Sequence, residues 1–394
     1  MKNLSILLFL IGVLLVNPKI VQAQTVSDSQ LLEYYQNQRY VEALQYLKTN
    51  YQEPVTDAKA LSRLAYTSQM AGKLAEAENY YQRVYAMDTT NLPVLNNMAG
   101  INMRRGNQDK AYGYYLKIVQ NDTSNFYVYT QLAKICSVKL DSLGKMTYLI
   151  RANKINPEDA DAAASLSDGY VKAKLYVQAE KVLDKAIAAD SDNIILLESL
   201  ENLTHAQKRW PQTIKTGMRL LQLGDNTYIT VTKLAQAYYY LKNYQCCVET
   251  IAGLPRLMQT EGSYYWMGMG YKNLKDYPKA VQCFNKAIAD GISSSISTYY
   301  GEIGSSYEES KQFTKSLNAY QKGLQFEDSR LIYYSLANLY DNDLKNKTLA
   351  IKYFKKYLAA KPPVKEQALV DYTKGRLNQL TEPSVASVEP RTSR

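Results

Sequence analysis

Few residues in this chain have the type and spacing that chemistry requires. His205 is the one histidine among 394 residues, and no nucleophile or metal-ligand cluster stands at a motif spacing from it. There is no glycine-rich phosphate loop, no His-Glu-x-x-His and no calcium loop. A lone histidine is typical of a structural or surface position. The sequence therefore predicts no enzyme, no cofactor and no metal, and a hydrolase built on carboxylates alone is the alternative.

The cysteines give a second candidate chemistry, disulfide formation. They are Cys136, Cys246, Cys247 and Cys283, and all four fall in predicted helices. Free cysteine behaves as a small apolar residue in such positions, and we expect buried free thiols. Since export is also predicted, one bridge from Cys283 to Cys246 or Cys247 is the alternative.

The elements that position these residues are short helix pairs. Apolar and small residues recur at helical spacing on both sides of a polar break at 273–276: Tyr264, Met267, Gly268 and Tyr271 before it, and Tyr277, Ala280, Phe284 and Ala287 after it. A helix pair this short cannot cover its own apolar face, so it predicts copies of itself on either side.

Ten such copies align on one residue of the second helix. They are Ala43, Ala77, Ala111, Lys145, Ala179, Thr213, Cys247, Ala280, Ser316 and Ala350. The steps are 34 residues six times, then 33, 36 and 34. Nine of the ten residues are small, which lets neighbouring helices approach closely. The large number of tyrosines, 36 against 6 phenylalanines, fits core positions at the edge of a two-layer structure.

This pattern resembles the tetratricopeptide repeat, whose first helix carries an aromatic residue, Leu-Gly and Tyr, and whose second carries Ala, an aromatic residue and Ala. Residues 264–287 match it closely, and the repeats around Ala179 and Ser316 match nearly as well. The resemblance implies an all-α, right-handed superhelical solenoid of about ten helix–turn–helix repeats over residues 24–362, one continuous domain. The repeats around Lys145 and Thr213 depart from the pattern, the latter with Trp210-Pro211 and Gly217.

The two ends of the chain differ from the repeats. Residues 1–23 have a short positive region, a 13-residue apolar run and a small-residue cleavage site, and they predict a signal peptide with no lipoprotein cysteine. We expect an exported protein of the periplasm or cell envelope, with no membrane span after cleavage. Residues 363–380 predict a helix that caps the last repeat, and the polar residues 381–394 predict a disordered tail.

In tetratricopeptide repeat proteins, the first helices line a concave groove that holds peptides or partner helices. Carried over to first-helix residues that face away from the seam, this resemblance gives two sets of candidates. The N-terminal set is polar and basic: Arg63, Tyr66, Asn96, Asn97, Arg104, Gln131 and Lys134. The C-terminal set is rich in types that favour interfaces: Lys233, Gln236, Tyr239, Tyr240, Tyr265, Trp266, Met269, Lys272 and Asn273. The alternative is that these rings pack between adjacent first helices.

The sequence thus predicts a non-catalytic scaffold or adaptor for protein–protein interaction, with a chaperone or assembly role, whose partner is a peptide or helix. A glycan-binding or cell-wall-binding module that uses the groove aromatics is the alternative. Net charge of +10 and pI near 9.0 suggest nucleic acid as a further class. The predicted export argues against nucleic acid, and the interleaved charges are typical of a solvated surface.

Overall fold

The structure, a computed structural model, describes residues 26–291 and 294–382. The described residues form 21 α-helices and contain no β-strand. Within the described chain no helix has both the length and the apolar character needed to cross a bilayer. The predicted signal peptide (1–23) lies outside the described residues, as does the predicted tail beyond residue 382.

The chain divides into two compact units, and the boundary lies between Pro157 and Glu158. The helices of the first unit form four hairpins. They are α1 (Asp28–Gln36), α2 (Tyr40–Asn50), α3 (Ala58–Met70), α4 (Leu74–Met87), α5 (Leu92–Arg104), α6 (Gln108–Asn121), α7 (Phe126–Val138) and α8 (Ser142–Ile155).

The second unit contains six hairpins and one further helix. Its helices are α9 (Ala160–Lys172), α10 (Tyr176–Ala189), α11 (Ile194–Ala206), α12 (Trp210–Gln222), α13 (Tyr228–Tyr240), α14 (Tyr244–Ala252), α15 (Glu261–Asn273), α16 (Tyr277–Asp290), α17 (Ile296–Glu309), α18 (Phe313–Gly323), α19 (Arg330–Asn338), α20 (Lys347–Ala359) and α21 (Gln367–Thr381). Short 3-10 turns lie at Arg256–Met258 and Val364–Glu366, and a π-helical turn at Leu339–Asp343 follows α19. The ten hairpins confirm the predicted all-α repeat class and the approximate repeat count.

Most first helices begin at a side chain that accepts a backbone N–H of the first turn. The capping residues are Ser27, Asp57, Asn91, Asn125, Asp159, Asn193 and Thr227. Such caps satisfy one of the N–H groups that a helix start leaves without a partner. The polar breaks in the sequence therefore fix where each repeat starts.

The turn inside each hairpin contains one residue of positive φ. These residues repeat with the period of the chain: Gln38, Gly72, Gly106, Leu140, Lys174, Lys208, Lys242, Lys275, Lys311 and Lys345. The left-handed residue lets the next N–H return to a carbonyl five residues earlier, as Arg209 N does to Thr204 O at 2.9 Å. Nine of the ten hairpins close with this geometry, and in the last one Asn346 N bonds to Tyr340 O, six residues earlier, at 2.7 Å.

The seam of each hairpin is formed by the column of small residues. All nine small members of that column have no exposed surface, whereas Lys145 is half-buried. Large side chains four residues later, such as Tyr115, Phe284 and Tyr320, fill the space opposite and are also buried. The four cysteines are free, and Cys136, Cys247 and Cys283 are buried, as expected.

At the C-terminal end, α21 covers the last hairpin. Leu380 belongs to the apolar cluster that contains Phe354 and Leu336. Arg376 donates to both carboxylate oxygens of Asp341, which lies in the π-helical turn, at 2.6 and 3.0 Å. The segment predicted as a cap is therefore helical over Gln367–Thr381 and packs on its neighbour.

Candidate interaction surface

The candidates in the first unit lie on three first helices, α3, α5 and α7. Arg63 on α3 is ion-paired to Asp28 and donates to the Tyr51 hydroxyl at 3.3 Å. Asn97 on α5 is half-buried, whereas Arg104 on α5 and Lys134 on α7 are exposed. Since Arg63 is engaged inside the unit, it is less available to a partner than the sequence suggested.

In the second unit, four of the candidates form one aromatic cluster. The ring centroids of Trp266 lie 5.3 Å from Tyr239, 5.9 Å from Tyr240 and 5.3 Å from Tyr265. Trp210, at the start of α12, extends the cluster by stacking on Tyr240 at 4.5 Å with the planes 11° apart. We call these five residues the aromatic cluster. They contact one another from α12, α13 and α15.

The exposure of the aromatic cluster is uneven. The Tyr240 side chain is 50% exposed, whereas Tyr239, Tyr265 and Trp266 are half-buried. The interpretation that the rings pack between neighbouring first helices therefore describes most of the cluster, and Tyr240 is the ring that the solvent reaches most. Asn273 donates to the Tyr239 hydroxyl at 3.2 Å and ties the cluster to the end of α15.

Among the other C-terminal candidates, Met269 and Lys272 are directed toward the next repeat. Met269 packs against the apolar cluster that contains Phe284 and Ile303. Lys272 donates to Glu302 of α17 at 2.9 Å. Both residues therefore hold α15 against α17 as well as lying near the aromatic cluster in sequence.

A groove opens between the first helices α9, α11 and α13. It encloses a cavity of about 440 Å³. Its lining residues combine apolar, hydrogen-bonding and charged side chains: Ala164, Ser165, Asp168, Ile195, Glu198, Ser199, Asn202, Thr227, Ile229, Thr230 and Lys233. We refer to this cavity as the groove. Lys233 was a sequence candidate, whereas Asp168, Glu198 and Asn202 were missed.

A signal for two of the missed residues was present in the repeat period. Asp168, Asn202 and Gln236 stand 34 residues apart, in the column that also contains the candidates Lys134 and Met269. In the structure Asn202 donates to Asp168 at 3.1 Å, so the column joins successive first helices. Following the column through every repeat would have predicted this wall of the groove.

The charges of the groove are predominantly acidic. Burial and the nearby Asp225 raise the pKa of Glu198, and Asp168 adds to this effect, while Lys233 opposes it. Lys233 is the one cationic side chain among the residues that line this cavity. The groove thus offers two carboxylates and one ammonium beside apolar contacts from Ile195 and Ile229.

One face of α13 joins the groove to the aromatic cluster. Thr230, Lys233, Gln236 and Tyr240 recur at three- and four-residue spacing and therefore share that face. His205 Nε2 donates to Gln236 Oε1 at 2.7 Å. Burial lowers the pKa of His205, which favours a neutral ring held in place by Gln236.

His205 and the acidic side chains of this surface are the groups in it that could do chemistry. Among the described residues, no group of three or more His, Cys, Asp or Glu side chains is placed to hold a metal ion. His205 is occupied by Gln236 and packs edge-on against Trp210 at 5.5 Å. The histidine therefore supports the wall of the surface.

Helical hairpins that bury one small residue every 34 residues define a helical repeat protein. A sequence model of the tetratricopeptide repeat matches residues 261–289 and 332–363, which are the hairpins α15–α16 and α19–α20. The chain therefore contains tetratricopeptide repeats at these two hairpins. No curated protein matches the chain.

Solved structures with a similar arrangement are distant in sequence. A tetratricopeptide repeat protein from Parabacteroides merdae is 16% identical, with a TM-score of 0.43 over 63% of this chain and 98% of that chain. The Cut9–Hcn1 hetero-tetramer of the APC/C is 14% identical, with a TM-score of 0.47 over 89% and 82%. YrrB, a TPR protein described as having an unusual peptide-binding site, is 12% identical, with a TM-score of 0.41 over 52% and 97%.

Proposed function

We propose that this protein is a non-catalytic interaction scaffold, and that it binds an extended segment of a partner protein along the first helices of its second unit. The segment occupies the groove and continues onto the exposed ring of Tyr240. The sequence also predicts a scaffold role, and this proposal restricts its binding surface to α9, α11, α13 and the aromatic cluster.

The observation that carries the proposal is that one face of α13 bears both Lys233, which lines the groove, and Tyr240, which belongs to the aromatic cluster. A peptide that crosses the groove meets the carboxylates of Asp168 on α9 and Glu198 on α11, then Lys233 on α13. Further along the same face of α13 it meets the ring of Tyr240. Backbone amides and side chains of a peptide can satisfy the polar groups while apolar side chains cover Ile195 and Ile229. Interfaces favour this combination of a few aromatic anchors with a polar surround.

A glycan is the second candidate, and the stack of Trp210 on Tyr240 is the observation that favours it. Sugar rings pack on exposed aromatic faces, but the centroids of these two rings lie 4.5 Å apart with nearly parallel planes, so each ring covers a face of the other. The rings therefore present edges and one outer face, which suits a peptide side chain better than a row of sugars. Binding to purified peptidoglycan is the test for this alternative.

We place the protein in the periplasm or cell envelope, on the sequence pattern of residues 1–23. In that compartment an assembly or chaperone-related role suits a scaffold with several first-helix contacts. The measurement is cell fractionation of the full chain, with detection of the processed form that begins at Gln24.

Photo-crosslinking in the host organism tests the proposed surface. A photo-crosslinking amino acid is placed at Ile229, which is 58% exposed and lines the groove, and in a matched variant at Leu257, which is fully exposed and lies outside it. We expect one discrete protein adduct at position 229 and none at position 257.

Two substitutions then locate the contact. Tyr240→Ala should reduce the adduct at position 229, whereas Tyr66→Ala, which removes an exposed tyrosine of a first helix in the other unit, should leave it intact. Equal adducts at positions 229 and 257 would overturn the proposal. A loss caused by Tyr66→Ala alone would move the site to the first unit.

A further inference from the structure

The hairpin α11–α12 reverses the sizes of the residues that meet at its seam. One column of the first helices holds a small, buried residue in eight of the nine other repeats: Ala65, Ala99, Ala133, Ser167, Ala235, Gly268, Gly304 and Ala337. In α11 that position is Glu201, which has no exposed surface. A carboxylate therefore stands where eight other repeats place Ala, Ser or Gly.

The facing column shows the opposite change. The second helices place a large residue there, such as Leu183, Phe284 or Tyr320, but α12 has Gly217. A Cβ added to Gly217 would lie 2.7 Å from Glu201 Oε1. In α15–α16 the glycine is on the first helix instead, and a Cβ added to Gly268 would lie 2.7 Å from the Phe284 ring. Glu201 thus fills the volume that an aromatic ring fills elsewhere.

Burying a carboxylate in an apolar seam costs free energy unless the carboxylate interacts with a partner group. Within the described chain, neither oxygen of Glu201 has a hydrogen-bond partner. A leucine or methionine would occupy a similar volume without the desolvation penalty of a buried acid. The interaction that remains is with Lys233, whose Nζ lies 3.9 Å from Glu201 Oε2.

Lys233 contacts both the buried Glu201 and the groove, since it is also one of the residues that line the groove. The charged groups around Glu201 are Lys233 on α13, Glu198 on α11 itself and Asp225 in the loop between α12 and α13. Burial, with smaller effects from Asp225 and Glu198, raises the pKa of Glu201 to about 8, and Lys233 opposes this rise. His205 lies one turn further along α11, and Asp168 lies across the groove.

We propose that Glu201 is a buried positioning residue for Lys233, and that the proton on its carboxyl decides whether the ammonium is held at the seam or is released to the groove. When Glu201 is neutral, Lys233 turns to Asp168 and Glu198. When Glu201 is ionised, it draws Lys233 inward and leaves the groove more acidic. By linkage, a partner segment that favours one position of Lys233 shifts the protonation of Glu201 by the same free energy.

The role assigned to the groove rests on the proposed function, whereas the proton link between the two residues does not. The link is therefore tested on the protein alone. Lysines are ¹³C-dimethylated and their NMR signals are followed from pH 6 to pH 10, with Lys233→Arg identifying the signal of Lys233. Lys272, which is paired with Glu302 on the next first helix, is the matched control.

We expect the Lys233 signal to show an inflection near pH 8, below the titration of the amine itself, and Glu201→Gln to abolish it. The Lys272 signal should be the same in both proteins. A Lys233 signal with no inflection between pH 7 and pH 9, or an inflection that survives Glu201→Gln, would overturn the proposal.

A second measurement covers the case in which Glu201→Gln does not fold. The side-chain carboxyl ¹³C signal of Glu201 is titrated in the wild type and in Lys233→Gln. Removal of the ammonium should move the midpoint to higher pH, and an unchanged midpoint contradicts the link. Failure of either titration leaves the crosslink at position 229 unaffected, and loss of the crosslink leaves both titrations unaffected, so the two proposals fail separately.

Discussion

The hairpins α11–α12 and α15–α16 have the same backbone plan and opposite seams. In α15–α16, Gly268 on the first helix admits the buried ring of Phe284 from the second. In α11–α12, Gly217 on the second helix admits the buried carboxylate of Glu201 from the first. The summed volume at the seam is what a hairpin requires, and either helix can supply it.

The difference lies in chemistry. Phe284 contributes an apolar ring that needs no partner, whereas Glu201 contributes a titratable group. The α11–α12 hairpin buries a second polar contact, in which the Thr213 hydroxyl donates to that of Thr204 at 3.2 Å. The α15–α16 seam is therefore filled by an apolar ring, whereas the α11–α12 seam contains a titratable carboxyl group.

The largest expected effect is the loss of the ring in the apolar seam. Phe284→Ala removes a fully buried side chain and leaves a void above Gly268, so we expect unfolding free energy to fall by about 3–5 kcal/mol. Chemical denaturation with a signal local to the second unit measures it. A fall below about 1 kcal/mol would mean that the seam collapses around the void.

The pH dependence of stability should distinguish the two seams. The pKa of Glu201 rises from an ordinary 4.5 to about 8 in the folded chain. The unfolding free energy is therefore unaffected by this group below pH 4.5, the pKa in the unfolded chain, and falls as pH rises from there toward 8. Between pH 4.5 and pH 8, the unfolding free energy of the wild type relative to Glu201→Gln should fall by an amount that approaches about 1.4 kcal/mol per pH unit. Thermal unfolding of both proteins at pH 5, 6.5 and 8 measures this difference. A constant difference across the series contradicts it.

An exchange of residues should turn one seam into the other. Gly217→Phe alone overpacks the seam against Glu201, and Glu201→Ala alone leaves a void. Together they should recreate the arrangement of α15–α16, with a favourable coupling of about 0.5–3 kcal/mol in a double-mutant cycle. Additive effects of the two substitutions would show that the seam does not accept the exchanged order.

A smaller difference is expected at the start of the second helices. Trp210 in α12 stacks on Tyr240, whereas Tyr277, at the same place in α16, donates its hydroxyl to Glu309 at 3.0 Å. The ring pair should contribute about 0.5–1.5 kcal/mol beyond its buried area in a Trp210→Leu, Tyr240→Leu cycle. Tyr277→Leu should have the smaller effect, and the reverse order would contradict this account.

The smallest effect should be equal in both hairpins. Lys208 and Lys275 occupy the left-handed turn with φ of 58° and 63°. Because glycine adopts that conformation without the steric penalty, Lys208→Gly and Lys275→Gly should each raise stability by about 0.5–1 kcal/mol. Unequal shifts would show that the turn differs between the two hairpins, and Gly72→Lys, the reverse change at φ 75°, should lower stability.

Some of the candidate surface could be predicted from sequence, because first-helix residues share a column of the repeat. The period placed Tyr239, Tyr240, Tyr265 and Trp266 on neighbouring helices, and the structure brings these rings together. Their role in binding stays a prediction. Spacing could not show that Arg63 is paired with Asp28, because that contact depends on the rotamers of two side chains on different helices.

By itself, the sequence determined the repeat. The 34-residue period, the small residues at the seam and the polar caps specify helix pairs, because helical spacing and N-terminal capping are local properties of the chain. The tertiary structure decided which large side chain fills each small gap. Glu201 and Gly217 each break a column, and only their approach in space shows that the two departures compensate, since packing depends on volumes contributed by two helices. The same holds for the groove, whose wall is assembled from three first-helix segments 34 residues apart.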